Sequence, residues 1–270
     1  MLLLELYRKG ADVEHEQFFT KPAVAAEVSQ VIKSQPWFKD LKAFIEPSAG
    51  GGVFLKHFPN AVGYDLVPQN DSIKQADFLK HDFKTDPSKT LIFGNPPFGI
   101  GGSLALAFIK KAATLADTIA FILPATFAKA SMKNKLPKNF HLEYEMKLPK
   151  DAFHSPAGKN LNVSCVFQIW RRGDTERAEE KFDASKSPLQ FVTRAEADFA
   201  IRKIGDKTLG KLVPLEDVKT DTSFFFIKGD AKKIGAALAK CDFSQIPGAA
   251  AKGLRSISKL ELTSELNKHL

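Results

Sequence analysis

Leu41-Lys42-Ala43-Phe44-Ile45-Glu46-Pro47-Ser48-Ala49-Gly50-Gly51-Gly52 is the stretch that decides how the chain folds. Leu41 to Ile45 reads as a short apolar strand, the three glycines as a turn, and Val53 to Phe58 as the resumption of a helical pattern. A turn without bulky side chains lets a ligand approach the backbone at a helix N-terminus. By itself the same string also serves as a tight connection between strand and helix.

Working outward, Pro22 to Ile32 places Val24, Val28, Val31 and Ile32 at helical spacing, behind Thr20 and a proline in the first turn. Ala61 to Leu66 is a strand with Asp65 near its end, and Thr90 to Phe93 is an apolar strand that stops at Gly94-Asn95-Pro96-Pro97. Ser103 is placed to cap a helix running to about Leu115, Thr118 to Leu123 is the next buried strand, and Asn162 to Trp170 alternates as a late strand. Strands alternating with helices predict an α/β fold, with a mostly parallel, Rossmann-like sheet covered by helices on both faces. Ligands of such sheets bind beyond the carboxyl ends of the strands, where the strand order reverses.

Arg171 to Pro188 is charged and poor in large apolar residues, which reads as a linker. The expected organisation is a catalytic domain over 1–172, a linker over 173–188 and a small α+β domain over 189–270. That last domain has a strand at Ser223 to Lys228, a helix from Ala231 to Lys240, and a final helix opened by Ser258 with Glu261 three residues on.

Among the 270 residues, Lys and Arg outnumber Asp and Glu by 39 to 31, a formal charge of +8 that suits a polyanionic partner and also ordinary solubility. Cys165 and Cys241 are too few for a disulfide framework and lack metal-like spacing, so no metal is expected and a reducing, cytoplasmic setting is. Glu5, Arg8 and Lys9 follow Met1 to Leu4 too closely for a signal peptide. No run reaches the roughly 20 apolar residues of a membrane span, so no membrane partner is expected.

Asp65 at a strand end can accept both hydroxyls of a ribose. Dinucleotide enzymes place an acid similarly, so the pattern points to a nucleoside before any particular cofactor. Asp77-Phe78 offers an acceptor for an adenine amine beside an aromatic wall. The most specific cluster is Asn95-Pro96-Pro97-Phe98. An adenine amine is a poor nucleophile because its lone pair is delocalised into the ring. Two acceptors, the Asn95 side-chain oxygen and the Pro96 carbonyl, can bind its hydrogens and favour a pyramidal nitrogen. Each proline fixes φ near −65° and restrains the preceding residue, so Pro96 and Pro97 stiffen the loop in advance. Phe98 supplies a flat surface for a base taken out of its stack, worth ~1–3 kcal/mol.

These residues resemble the S-adenosylmethionine-dependent amino-methyltransferases of nucleic acids, especially the adenine-N6 branch, from about Gln17 to Trp170. Phe18-Phe19-Thr20-Lys21-Pro22, Glu46 to Gly52, Asp65, Asp77-Phe78 and Asn95 to Phe98 carry the resemblance, in the order that family uses. It implies that Phe19, Thr20 and Pro22 hold the methionine end of S-adenosylmethionine, beside Glu46, Pro47, Ser48, Ala49 and Gly50. It further implies that Asp65 and Leu66 flank the ribose, that Asp77 and Phe78 meet the cofactor adenine, and that Asn95, Pro96, Pro97 and Phe98 hold the target base. Phe153 falls where many relatives carry an aromatic on the other side of that base; it also fits a core position. Lys129, Lys133, Lys135 and Lys138 form a cationic loop after a strand and are candidates to grip phosphates, or else a solvated charged loop.

The expected activity is transfer of a methyl group to the N6 amine of adenine in nucleic acid, with DNA favoured. RNA is the first alternative, since nothing in the sequence reads a 2′-hydroxyl. A protein glutamine amide presents a similar delocalised amine, although relatives acting on it usually carry tyrosine where Phe98 stands. A partner that binds nucleic acid without turnover is the non-enzymatic alternative. Target sequence and oligomeric state are not legible in the residues.

Overall fold

The computed structural model describes residues 18–205, 207–244, 246 and 255–270; the expectations for Met1 to Lys9 and for Gln17 lie outside them. The chain divides into two compact units, Met1–Glu179 and Glu180–Leu270. That division falls within the stretch 173–188. The beginning of the stretch is tied to the first unit: Arg177 donates to the carbonyls of Phe140 (3.1 Å), Leu136 (3.0 Å) and Lys133, and its guanidinium lies over Trp170.

In the first unit β1 (Phe19–Thr20) leads into α1 (Pro22–Lys33), whose proline stands in the first turn and whose Val24, Val28 and Ile32 are buried. Then follow β2 (Ala43–Glu46), β3 (Val62–Asp65), β4 (Lys74–Gln75), β5 (Thr90–Gly94), α2 (Ser103–Ala112) and β6 (Thr118–Pro124). A short α3 (Ala130–Lys133), β7 (Phe140–Lys147), β8 (Phe153–His154), β9 (Asn160–Leu161) and β10 (Cys165–Arg172) complete it. Seven strands form one sheet in the order β4-β3-β2-β5-β6-β10-β7. Pairing is parallel from β4 through β6, while β10 runs antiparallel to both β6 and β7. β5 and β6 are buried along their whole lengths, as unbroken apolar runs in a central parallel sheet should be. This is a Rossmann-like, doubly wound arrangement. The order reverses between β2 and β5, so Glu46 and Gly94, the last residues of those strands, stand side by side at the expected ligand crevice.

Two local expectations are corrected. Val53 to Phe58 forms turns and a single 3-10 turn, Leu55–His57, rather than an α-helix. Pro59 stands seven residues after Gly52 and holds Phe58 out of the helical region (φ −129°, ψ 81°), so the segment stays too short to propagate. It packs aromatic rings on the sheet instead, Phe58 lying 4.5 Å from Phe93 between centroids. Ser103 is the first helical residue of α2 rather than its cap, the cap position being Gly102 at φ 79°. The strand β7 has no counterpart in the expectations, because Phe-His-Leu-Glu-Tyr-Glu-Met-Lys mixes charge into an edge strand with one solvated face.

In the second unit β11 (Gln190–Phe191), β12 (Phe199–Arg202), β14 (Leu212–Val213) and β15 (Phe224–Lys228) make an antiparallel sheet in the order β11-β15-β12-β14, and β13 (Ile204–Gly205) pairs with β16 (Arg255–Ser256). Phe199, Ile201 and Ile227 pack with Ile234 and Leu238 of α4 (Ala231–Leu238) and with Leu262 and Leu266 of α5 (Lys259–Leu266). Ser258 and Glu261 close the capping box on α5: the serine amide donates to Glu261 Oε2 at 2.7 Å and the glutamate amide to Ser258 Oγ at 3.2 Å. Among the described residues no helix is long and apolar enough to cross a membrane.

Candidate active site

Asn95 stands one residue beyond β5, and Gly94 before it adopts φ 124°, open to glycine almost alone. A Cβ at Gly94 would lie 3.0 Å from Glu46 Cγ, so the neighbouring carboxylate needs that position bare. Asn95 Nδ2 donates to the Phe18 carbonyl at 2.9 Å, while Ser48 Oγ donates to the Asn95 carbonyl at 3.0 Å. A backbone carbonyl only accepts, so the bond to Phe18 fixes which way the amide faces. Its oxygen, Oδ1, is the end left over, buried and without a partner.

The glycine turn is fastened from β3. Asp65 Oδ2 accepts the Gly50 amide at 2.7 Å and Oδ1 accepts the Val67 amide at 2.9 Å, with Ala49 N bonded to the Tyr64 carbonyl. Each carboxylate oxygen thereby keeps a lone pair for a further donor. Glu46 is 1% exposed, and Oε2 has no partner. Burial first, and the negative charge of Asp65 second, push its carboxyl well above the usual carboxylate range.

A cavity of about 520 Å³ joins these groups, within the usual range for small-ligand sites. Phe19, Thr20 and Pro22 line it, together with the run Glu46, Pro47, Ser48, Ala49 and Gly50. Asp65, Leu66, Asp77 and Phe78 form a further part of the wall, and Asn95, Pro96 and Pro97 another. Asp77 is already engaged, Oδ1 by the Leu79 amide (3.1 Å) and Oδ2 by Lys80 (3.0 Å). Five buried side-chain polar atoms lack a partner among the described residues. Three of them, Thr20 Oγ1, Glu46 Oε2 and Asn95 Oδ1, belong to residues of this one wall. Each such atom costs about 1–3 kcal/mol if nothing meets it, so their convergence marks a place shaped for a polar ligand.

Phe98 and Phe153 stand elsewhere than expected. Phe98 is 5% exposed with its ring 5.4 Å from that of Phe18, and it does not line the cavity. Phe153 is wholly buried; Thr20 pairs with it across β1 and β8, and its ring also meets Phe18. Strand alternation explains the correction: with Phe153 turned inward, His154 takes the opposite face and lines the cavity. His154 stacks on Phe19, and its Nδ1 lies 2.9 Å from the Ser155 carbonyl, an acceptor only, so Nδ1 is the donor in that bond. Phe18 also lines the cavity, beside Phe19 and Phe78; it is visible in the sequence as part of a Phe-Phe doublet but given no role there. For His154 the sequence holds no signal.

The cationic loop is drawn partly into ion pairs. Lys133 pairs with Glu145 on β7 at 3.3 Å and Lys138 with Glu179 at 3.4 Å, while Lys135 is exposed and Lys129 occupies the N-cap position of α3 without a capping bond from its side chain. Two of its four charges are thus met by carboxylates distant in sequence.

No family model and no curated protein matches the chain. Among solved structures, 60% of it aligns with 90% of a candidate RNA methyltransferase from Pyrococcus horikoshii at 16% identity and a TM-score of 0.47. A type I restriction-modification methyltransferase subunit from Streptococcus thermophilus matches 58% of the chain with 45% of its own, at 15% identity and 0.44. The 23S rRNA methyltransferase ErmE matches 63% with 74%, at 18% identity and 0.42. At such identities and TM-scores, what those proteins act on is not carried over to this chain.

Proposed function

We propose that the chain is an S-adenosylmethionine-dependent methyltransferase acting on the N6 amine of adenine in nucleic acid, with DNA ahead of RNA. The observation that carries this reading is the Asn95 amide, held by the Phe18 carbonyl so that Oδ1 remains buried and unpartnered in a residue of the cavity wall. The orphaned Thr20 Oγ1 and Glu46 Oε2 and the spare lone pairs of Asp65 suit the amino-acid and ribose ends of the cofactor. When bound, that cofactor supplies an electrophilic methyl group on a positively charged sulfur.

The residues of the chain then have separable tasks. Asn95 Oδ1 and the Pro96 carbonyl accept the two hydrogens of the target amine, which favours a pyramidal nitrogen and withdraws its lone pair from conjugation with the ring. Pro96 and Pro97 hold those acceptors before the substrate arrives. Phe18 orients Asn95 through its carbonyl and is itself a residue of the cavity wall. The charge of +8 favours a polyanion over a neutral protein amide as substrate.

The test is transfer of a tritiated methyl group to unmethylated genomic DNA, ribosomal RNA and a protein mixture in parallel, with digestion of the labelled product. Label in DNA as N6-methyladenine, lost in Asn95→Ala, is the expected result. Label confined to RNA, or to glutamine in protein, replaces the substrate. No label and no calorimetric binding of the cofactor removes the enzymatic reading.

A further inference from the structure

Ile100 is 91% exposed, far more than any other large apolar side chain among the described residues. Single apolar side chains on a surface are ordinary, but the setting of this one is not. It lies five residues beyond Asn95, within about 18 Å even for a fully extended chain, at the tip of Phe98-Gly99-Ile100-Gly101-Gly102-Ser103.

The loop is closed at its root. The amides of Leu104 and Ala105 both donate to the Phe98 carbonyl at 3.1 Å, and Gly102 N donates to the Gly99 carbonyl at 3.1 Å. Gly99 and Gly102 have φ of 68° and 79°, and a Cβ at either would come 2.7 Å from Leu104 Cβ or Phe127 Cε2. Gly101, beside the tip, would meet nothing within 4 Å. The backbone is therefore tightly seated next to the Asn95 corner, and the side chain it presents outward is branched, apolar and bare.

Accepting the adenine reading of the cavity, on which this rests, we infer that Ile100 is a wedge that enters the base stack of duplex DNA beside the adenine being extruded. Turning a base out of a duplex costs stacking and pairing, and an apolar side chain that fills the gap offsets part of that cost. A rigid loop covalently continuous with Asn95-Pro96-Pro97 gives the wedge a fixed register relative to the base in the site. A strand already unstacked needs no such filling, so the contribution of Ile100 depends on the state of the DNA.

The experiment measures kcat/KM for methyl transfer by the full chain on linear, unmethylated plasmid DNA, native or heat-denatured and quick-cooled, with ribosomal RNA in parallel. Ile100→Ser is expected to lower kcat/KM on native DNA by about tenfold, the scale of an exposed side chain of this size becoming buried. Denatured DNA is expected to change by less than about twofold, and Ile100→Met to recover most of the activity on native DNA. Equal losses on both forms, or no loss on native DNA, overturns the wedge while leaving the adenine reading intact. A parent protein that methylates only RNA, or neither polymer, overturns the wedge together with its DNA substrate. Thermal melting of each variant, expected to match the parent because the side chain is exposed, separates the effect from a folding defect.

Discussion

Replacing Gly94 by alanine puts the geometry of the crevice to a quantitative test. At φ 124° an alanine is strained, and its Cβ would sit 3.0 Å from Glu46 Cγ and 3.2 Å from Oε1. Backbone strain of this kind costs about 1–3 kcal/mol, and forcing a methyl group against a buried side chain adds about 1–2 kcal/mol. The sum, about 2–5 kcal/mol, lowers Tm by about 4–20 °C at the scaling of a domain this large. Relief by moving Glu46 drives its carboxyl into the cavity, so calorimetric affinity for the cofactor falls as well. Glu46→Ala separates the two costs: in the double variant the contact is gone while the strain remains, giving a coupling of about 1–2 kcal/mol. A Gly94→Ala protein melting within about 1 °C of its parent, or a double variant that is simply additive, refutes this account of how the corner is built.

Asn95→Ala is expected to cut turnover at least about 100-fold with cofactor affinity nearly unchanged, whereas Asp65→Ala should weaken calorimetric binding about 10–100-fold and also destabilise the turn it fastens through Gly50 and Val67. Glu46→Gln is checked by Tm against pH. The carboxyl is raised in the folded state by burial and by Asp65, so its stabilising share is fully present below the unfolded value of about 4.3 and is lost as pH rises through the folded one. The advantage of the glutamine variant should therefore widen with pH, and a constant offset would contradict the assigned cause. Lys133→Ala should leave the salt dependence of DNA binding unchanged because Glu145 already meets that charge; a slope reduced by about 0.9 would mean a lost phosphate contact.

The sequence is legible where a physical requirement is local. β5 and β6 announce themselves as unbroken apolar runs because both their faces are covered, and the residues that follow them must then stand at the carboxyl edge of the sheet. Glu46, Asp65 and Asn95 are found on that logic, each read as the residue at or just past a strand end. What fails is the assignment of facing. Nothing in Phe153-His154 says which side chain turns inward, because the answer is set by pairing with β1, over 130 residues earlier. Lys133 looks free until β7, itself hidden by its charges, brings Glu145 beside it. Phe18 carries the same point furthest. Its ring type is visible in the chain, yet the atom that matters is a backbone carbonyl, which no residue type encodes, reaching an amide 77 positions away. The chemistry of the corner thus rests on an identity that can be read, asparagine, and on an orientation that only the fold supplies.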